Sequence, residues 1–302
     1  MAQLEPKPLP TDLSFNALFL PNTTYEYLKD AASQPFRFDA TGFETVNAWW
    51  LAELSLLAYV TDHDFVRGKL AAAGLPHCTF FEDAATDTQA FVCHNDDFAI
   101  ACFRGTEMKI RDFLTDLNIE LVPSGGAGRV HRGFKKALDS VWGDMRAHLD
   151  SLSSSRKIWF AGHSLGAALA TLATARYPQA HGVYPMAAPR CGDKAFCLSL
   201  IDNHWRFVNN NDVVPMLPPR IVYRHAAHLV YITEKGELVV NPSLGLRIRS
   251  WLRGHIRHAA TILRCWLKGD FNVVAPDDLN DHAPIYYVVY IWNYHIWHPG
   301  DS

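Results

Sequence analysis

Ser164 lies in Gly162-His163-Ser164-Leu165-Gly166, a spacing at which a serine can act as a nucleophile. Its hydroxyl is weak at neutral pH, so it needs a base, and the base needs a carboxylate to orient it. The chemistry would be acyl transfer, with an oxyanion to be stabilised close by. Chance also supplies this five-residue pattern, and a plain Gly/Ser turn is the alternative. The flanks favour the nucleophile. Residues 157–161 (KIWFA) read as a short buried parallel strand, and residues 165–176 (LGAALATLATAR) as a helix of small residues. A tight strand-to-helix turn of this kind lifts the serine to the strand's carboxyl end, beside the partial positive charge of a helix N-terminus.

The partners must come later in the chain. Residues 205–209 (WRFVN) read as a strand, and Asp212 follows in the loop after it, where an orienting acid belongs. An Asx turn is the alternative use of that aspartate. Seven histidines lie beyond it, at 225, 228, 255, 258, 282, 295 and 298. His255 and His258 fall in a helix-like run, and His295 and His298 sit near the C-terminus with no obvious sheet to hold them. His282 follows Asp277, Asp278 and Asp281 and precedes Ala-Pro, so it reads as a loop residue able to reach over the sheet edge. Position alone leaves it only narrowly ahead of His225 and His228.

The elements that must hold these residues alternate. A helix is expected over 47–59, a hairpin over 90–95 and 98–104, a helix over 133–150, and further strands at 182–188 and 205–209. Strands alternating with helices predict an α/β fold with a mostly parallel sheet flanked by helices. We expect residues 1–302 to form a single domain, with 1–40 as a lead-in segment and 241–275 as a helical insertion between the acid and the base. The chain has 302 residues, 49% of them hydrophobic, enough to bury a full core. A net charge of −3 gives no global sign of a nucleic-acid partner. The six cysteines include no CxxC pair and read as small buried hydrophobes. The first residues do not read as a secretory signal, so a cytoplasmic or peripheral membrane location is expected, with export by another route left open.

At this point the residues resemble a known family, the class 3 (fungal-lipase-like) triacylglycerol lipases of the α/β-hydrolase superfamily, in a bacterial-type version. The matches run from about 47 to 287. They include Ser55-Leu56-Leu57-Ala58-Tyr59, Phe103-Arg104-Gly105-Thr106, Val130-His131-Arg132-Gly133-Phe134 and Ala188-Pro189-Arg190. Arg206-Phe207-Val208-Asn209, Asp212 with Val214-Pro215, and Asp281-His282 complete the series. The resemblance implies that Asp212 is the acid and His282 the base. It implies an oxyanion hole from Thr106 and the backbone N–H of Leu165, with Asp116 supporting the Thr106 hydroxyl or serving as a simple helix charge. His131 and His163 are implied to be structural. No metal or organic cofactor is expected. Two departures stand out: Pro185-Met186-Ala187-Ala188 replaces a Thr-Phe-Gly, and the 70 residues from Asp212 to His282 are long for the family.

The implied function is hydrolysis of lipid carboxylic esters, as a triacylglycerol lipase or esterase. Phospholipase A1 or small-ester carboxylesterase activity is the alternative within the class, and an inactive lipid-binding protein is the alternative outside it. A short lid is implied over 107–113. Residues 246–268 carry six Lys/Arg and no Asp/Glu, which leaves −9 on the rest of the chain. Apolar residues recur at 248, 252, 256, 259 and 263, with basic ones a step round the helix. The segment is either an extra helix packed on the core or an interfacial element that meets lipid surfaces or anionic partners.

Overall fold

The computed structural model describes residues 4–105, 119–152, 154–225, 228–267 and 280–300, with only the backbone helix described over 261–267. Eight strands form one sheet in the order β1-β2-β3-β6-β7-β8-β9-β10. They are β1 (His77–Asp83), β2 (Thr88–His94), β3 (Phe98–Phe103), β6 (Lys157–His163), β7 (Ala180–Met186), β8 (Trp205–Asn209), β9 (His228–Ile232) and β10 (Leu238–Val240). From β3 to β9 all pairings are parallel, whereas β1, β2 and β10 add antiparallel edges. A small two-stranded ribbon pairs β4 (Leu121–Pro123) with β5 (Arg129–His131). This is the α/β fold with a mostly parallel, helix-flanked sheet that the alternation predicts.

The central strands carry few polar residues because both faces are covered. On one face, helix α2 (Thr45–Leu57) lies with helix α8 (Pro284–Trp297) over a core that includes Trp49, Trp159, Phe207 and Trp292. On the other, α4 (Arg132–Ser151) and α5 (Leu165–Arg176) bury Phe134, Leu138, Phe160 and Leu169. Short helices α1 (Phe15–Phe19), α3 (His63–Ala72) and α6 (Lys194–Leu198) lie at the periphery. Helix α7 (Leu244–Leu267) occupies the insertion between Asp212 and His282. Among the described residues, no helix is long and apolar enough to cross a membrane.

The expected helix over 47–59 begins two residues earlier, at Thr45, and the strand expected over 182–188 ends at Met186. The second difference has a local cause. Ala187 adopts φ 56°, a left-handed conformation that stops the strand and that L side chains rarely tolerate. Ala187 therefore carries backbone strain that a glycine at this position would not.

The lead-in segment is fastened to the core by charge. Glu53 of α2 is fully buried and is met by the Lys7 ammonium, the Tyr25 hydroxyl at 2.9 Å and the Trp49 indole N–H at 3.0 Å. A buried carboxylate is tolerable only with donors of this kind.

Candidate active site

Strand β6 ends at His163, Ser164 turns the chain, and Leu165 begins α5. Ser164 sits at φ 58° and ψ −124°, a strained conformation for any side chain. Neighbouring backbone sets the flanking glycines. A Cβ on Gly162 would lie 2.4 Å from the Gly166 carbonyl carbon, and one on Gly166 would lie 2.1 Å from the Phe103 carbonyl oxygen. The elbow is thus wedged between β3 and its own helix. Its N–H donates to the Met186 carbonyl at 3.0 Å, which ties the serine to β7.

The serine meets the partners expected of it. His282 Nε2 is 2.9 Å from Ser164 Oγ, and His282 Nδ1 is 2.9 Å from each Asp212 carboxylate oxygen. With Nδ1–H donating to the carboxylate, the Nε2 lone pair is left to accept the serine hydroxyl. Ser164 is 4% exposed, and His282 and Asp212 are fully buried. A buried carboxylate demands further donors, and Asp212 has two, the Tyr287 hydroxyl at 2.6 Å and the Val214 N–H at 2.9 Å. Burial, and after it the Asp212 charge, pushes the Tyr287 hydroxyl well above its usual pKa, so it remains a donor.

The loop that carries His282 is clamped by the asparagines before Asp212. Asn209 Nδ2 donates to the Asp281 carbonyl at 2.9 Å, and the Asn211 N–H donates to the Asp281 carboxylate at 3.0 Å. The Asn209 N–H donates in turn to Tyr287 Oη at 2.9 Å. From the other side, His163 Nε2 donates to the His282 carbonyl at 2.8 Å, while its Nδ1 accepts from the Tyr59 hydroxyl at 2.8 Å. Burial, and then the neighbouring His282, holds His163 well below the ordinary histidine pKa, so it stays neutral. His163 thus tethers the backbone of His282, a structural role. His131 is structural too, with Nδ1 capping α4 by accepting from the N–H groups of Gly133 and Phe134.

The other histidines lie elsewhere. His225 Nε2 contacts the Pro215 carbonyl at 2.6 Å, and His228 stacks on Trp205 at the start of β9. His295 bridges Thr45 and Gln34. His255 lies against Asn211 and Trp251. Leu165 is the first residue of α5, so its N–H has no carbonyl within the helix to receive it. Thr106, Asp116 and the lid expected over 107–113 lie outside the described residues. Among the described residues, Tyr287 is a partner of Asp212 that sequence reasoning missed. Its signal was present as the fifth residue after His282, one turn into a helix that opens with Pro284.

On a mostly parallel sheet, a strained serine between strand and helix that faces a histidine and an aspartate in this order defines a hydrolase of the α/β-hydrolase fold. Residues 100–222 match the family described as Lipase (class 3). The chain is 29% identical to the lipase of Rhizomucor miehei over 75% of its own length and 70% of that protein. It is 28% identical to the secreted mono- and diacylglycerol lipase A of Penicillium cyclopium, over 54% of this chain and 58% of that one. The structure also superposes on the crystal structure of a mono- and diacylglycerol lipase from Aspergillus oryzae with a TM-score of 0.57. That match has 26% identity and covers 67% of this chain and 87% of that one. These matches make the chain similar to the class 3 lipases in its central part and to lipases over most of its length. The expectation of a bacterial-type member is not borne out, because these relatives are fungal.

Proposed function

We propose that this lipid carboxylic-ester hydrolase works through Ser164 as nucleophile, His282 as general base and acid, and Asp212 as the group that orients and stabilises the imidazole. The observation that carries the reading is the continuous hydrogen-bonded line from Ser164 Oγ through His282 to Asp212, with every link at 2.9 Å. As the hydroxyl attacks the ester carbonyl, Nε2 takes its proton, and Asp212 stabilises the imidazolium. The Leu165 N–H faces the developing oxyanion, with Thr106 as its expected partner donor. The proton then passes to the leaving alcohol, and water hydrolyses the acyl-enzyme. Acylglycerols are the substrate class, in keeping with the relatives named above. The enzyme meets them as a peripheral protein at a lipid surface, which it contacts through residues 246–268.

A fluorophosphonate probe tests the nucleophile directly. It should label the wild-type chain at Ser164 and fail to label Ser164→Ala. No labelling of the wild type, or labelling that survives the substitution, would remove the serine-hydrolase reading.

A further inference from the structure

An amphipathic helix packed on a protein normally turns its apolar stripe inward. Helix α7 does the reverse. Ile248, Leu252 and Ile256 recur every four residues and are 56%, 53% and 62% exposed, with Leu244 and Trp251 exposed beside them. At its start the inward face sets Leu246 against Val208, Leu229 and Tyr231, and beyond that it is small and polar, with Ser250 and Gly254 buried. A Cβ on Gly254 would lie 2.1 Å from Asn210 Nδ2 and 2.7 Å from Asn211 Nδ2, so the helix backbone rests directly on the loop that leads to Asp212. Ser250 Oγ is bonded to Asn210 Oδ1 at 2.9 Å and to Glu234 Oε2 at 2.8 Å. These anchors fix the rotation of the helix and leave its aliphatic stripe in solvent.

A second segment carries the same chemistry. The loop after Asp212 exposes Met216, Val222 and Ile221, the last at 85%. Arginines join the two segments. Arg190 is fixed on that loop, donating to the Met216 carbonyl and to the Pro218 carbonyl at 2.7 Å, and burial followed by the charges of Arg220, Arg224 and Arg247 holds it below its usual pKa. The Nε atoms of Arg206 and Arg247 are buried without a hydrogen-bond partner. On the helix, Arg253 and Arg257 lean on Glu234, while Arg249 is exposed.

We infer that α7 and the loop following Asp212 form one docking face for an anionic phospholipid surface. This rests on the lipid-ester reading of the site and assigns to it the surface on which the enzyme works. Exposed aliphatic side chains among arginines suit the boundary between headgroups and acyl chains, where the aliphatics insert and the guanidinium groups meet phosphate. The chain outside residues 246–268 carries −9, so an anionic surface attracts this face and repels the remainder, which orients the enzyme. The contact with Asn210 and Asn211 sets the docked helix beside the loop of the catalytic acid.

Co-sedimentation of the full chain with vesicles tests the inference. One set is phosphatidylcholine alone, and the other is equal parts phosphatidylcholine and phosphatidylglycerol. Two double variants remove charge (Arg220→Glu with Arg249→Glu) or apolar surface (Ile248→Ser with Leu252→Ser). All four side chains are exposed, so folding should survive, and hydrolysis of a soluble short-chain ester checks this. The wild type should prefer the anionic vesicles and release from them in salt. Charge reversal should weaken binding by at least about 20-fold, and loss of the aliphatics should weaken it as well, with soluble-ester rates unchanged. Either variant binding like the wild type, equal wild-type binding to both vesicles, or a dimer that both variants dissolve would overturn the docking face. Wild type that sediments as expected yet leaves the soluble ester intact would overturn the catalytic reading and leave the docking face standing.

Discussion

Two neighbouring parts of this molecule solve opposite problems. Around Asp212 the fold buries polar groups and supplies partners to those that hold the site: His282, Tyr287 and Val214 for the carboxylate, Tyr59 for His163, and Asp281 for the asparagine loop. On α7, a few residues away in space, the fold leaves aliphatic side chains in water and seats the helix on Ser250 and Gly254. A buried polar network fixes atoms to within tenths of an ångström, as a proton relay requires. An exposed aliphatic side chain contributes little to the isolated chain's stability and suits a partner surface instead. The contrast separates what this enzyme needs for chemistry from what it needs for placement.

The sharpest break in that contrast comes from Asp212→Asn. The side-chain volume is kept, yet the amide no longer holds the imidazole in the productive tautomer. The kcat on a soluble ester should fall by about 10⁴-fold with the fold intact, as read by stopped assays and circular dichroism. A loss below tenfold would mean that another acid orients His282. Tyr287→Phe should act next. It leaves the buried Asn209 N–H without an acceptor and Asp212 without its shortest donor. Urea titration should show a loss of about 1–3 kcal/mol, with kcat reduced and KM unmoved.

Acid should expose the same network. Burial keeps His163 well below its ordinary pKa of 6.5 and drives His204 down to about 3. The unfolded chain protonates both near 6.5, while the folded chain does not. Their stabilising contribution is therefore complete above 6.5 and is lost as the pH falls below it, by up to about 1.4 kcal/mol per pH unit for each group. A urea midpoint that stayed flat across that fall would contradict neutral buried histidines. On the exposed side the effect should nearly vanish, with Ile248→Ser shifting unfolding by less than about 0.5 kcal/mol. A loss of 2 kcal/mol or more, the range for a buried aliphatic, would mean that the stripe is covered in solution.

How much of this was legible in the sequence divides along the same line. The elbow could be read because strand, serine and helix are contiguous, and the helix over 165–176 lies where its composition places it. Asp212 and His282 needed the ordered family matches, since position alone left His225 and His228 open. Their exclusion is a matter of tertiary placement, His225 against Pro215 and His228 at the start of its strand. Helix α8 was missed because PIYYVVYIWNYHIW is rich in β-branched and aromatic residues. Packing against α2 overrides that propensity, and Tyr287 was lost with the helix. The amphipathic period of α7 was visible, but its rotation was not. Periodicity shows that a stripe exists, whereas Gly254 and Ser250 decide which way it faces.

The central claim is that Ser164 carries the acyl group. Mass spectrometry of the enzyme quenched during turnover of a slowly deacylated ester tests it most directly. The account predicts one acyl adduct on the peptide containing Ser164, absent from Ser164→Ala and from His282→Ala. An adduct on another residue, or ester hydrolysis at full rate in Ser164→Ala, would contradict it.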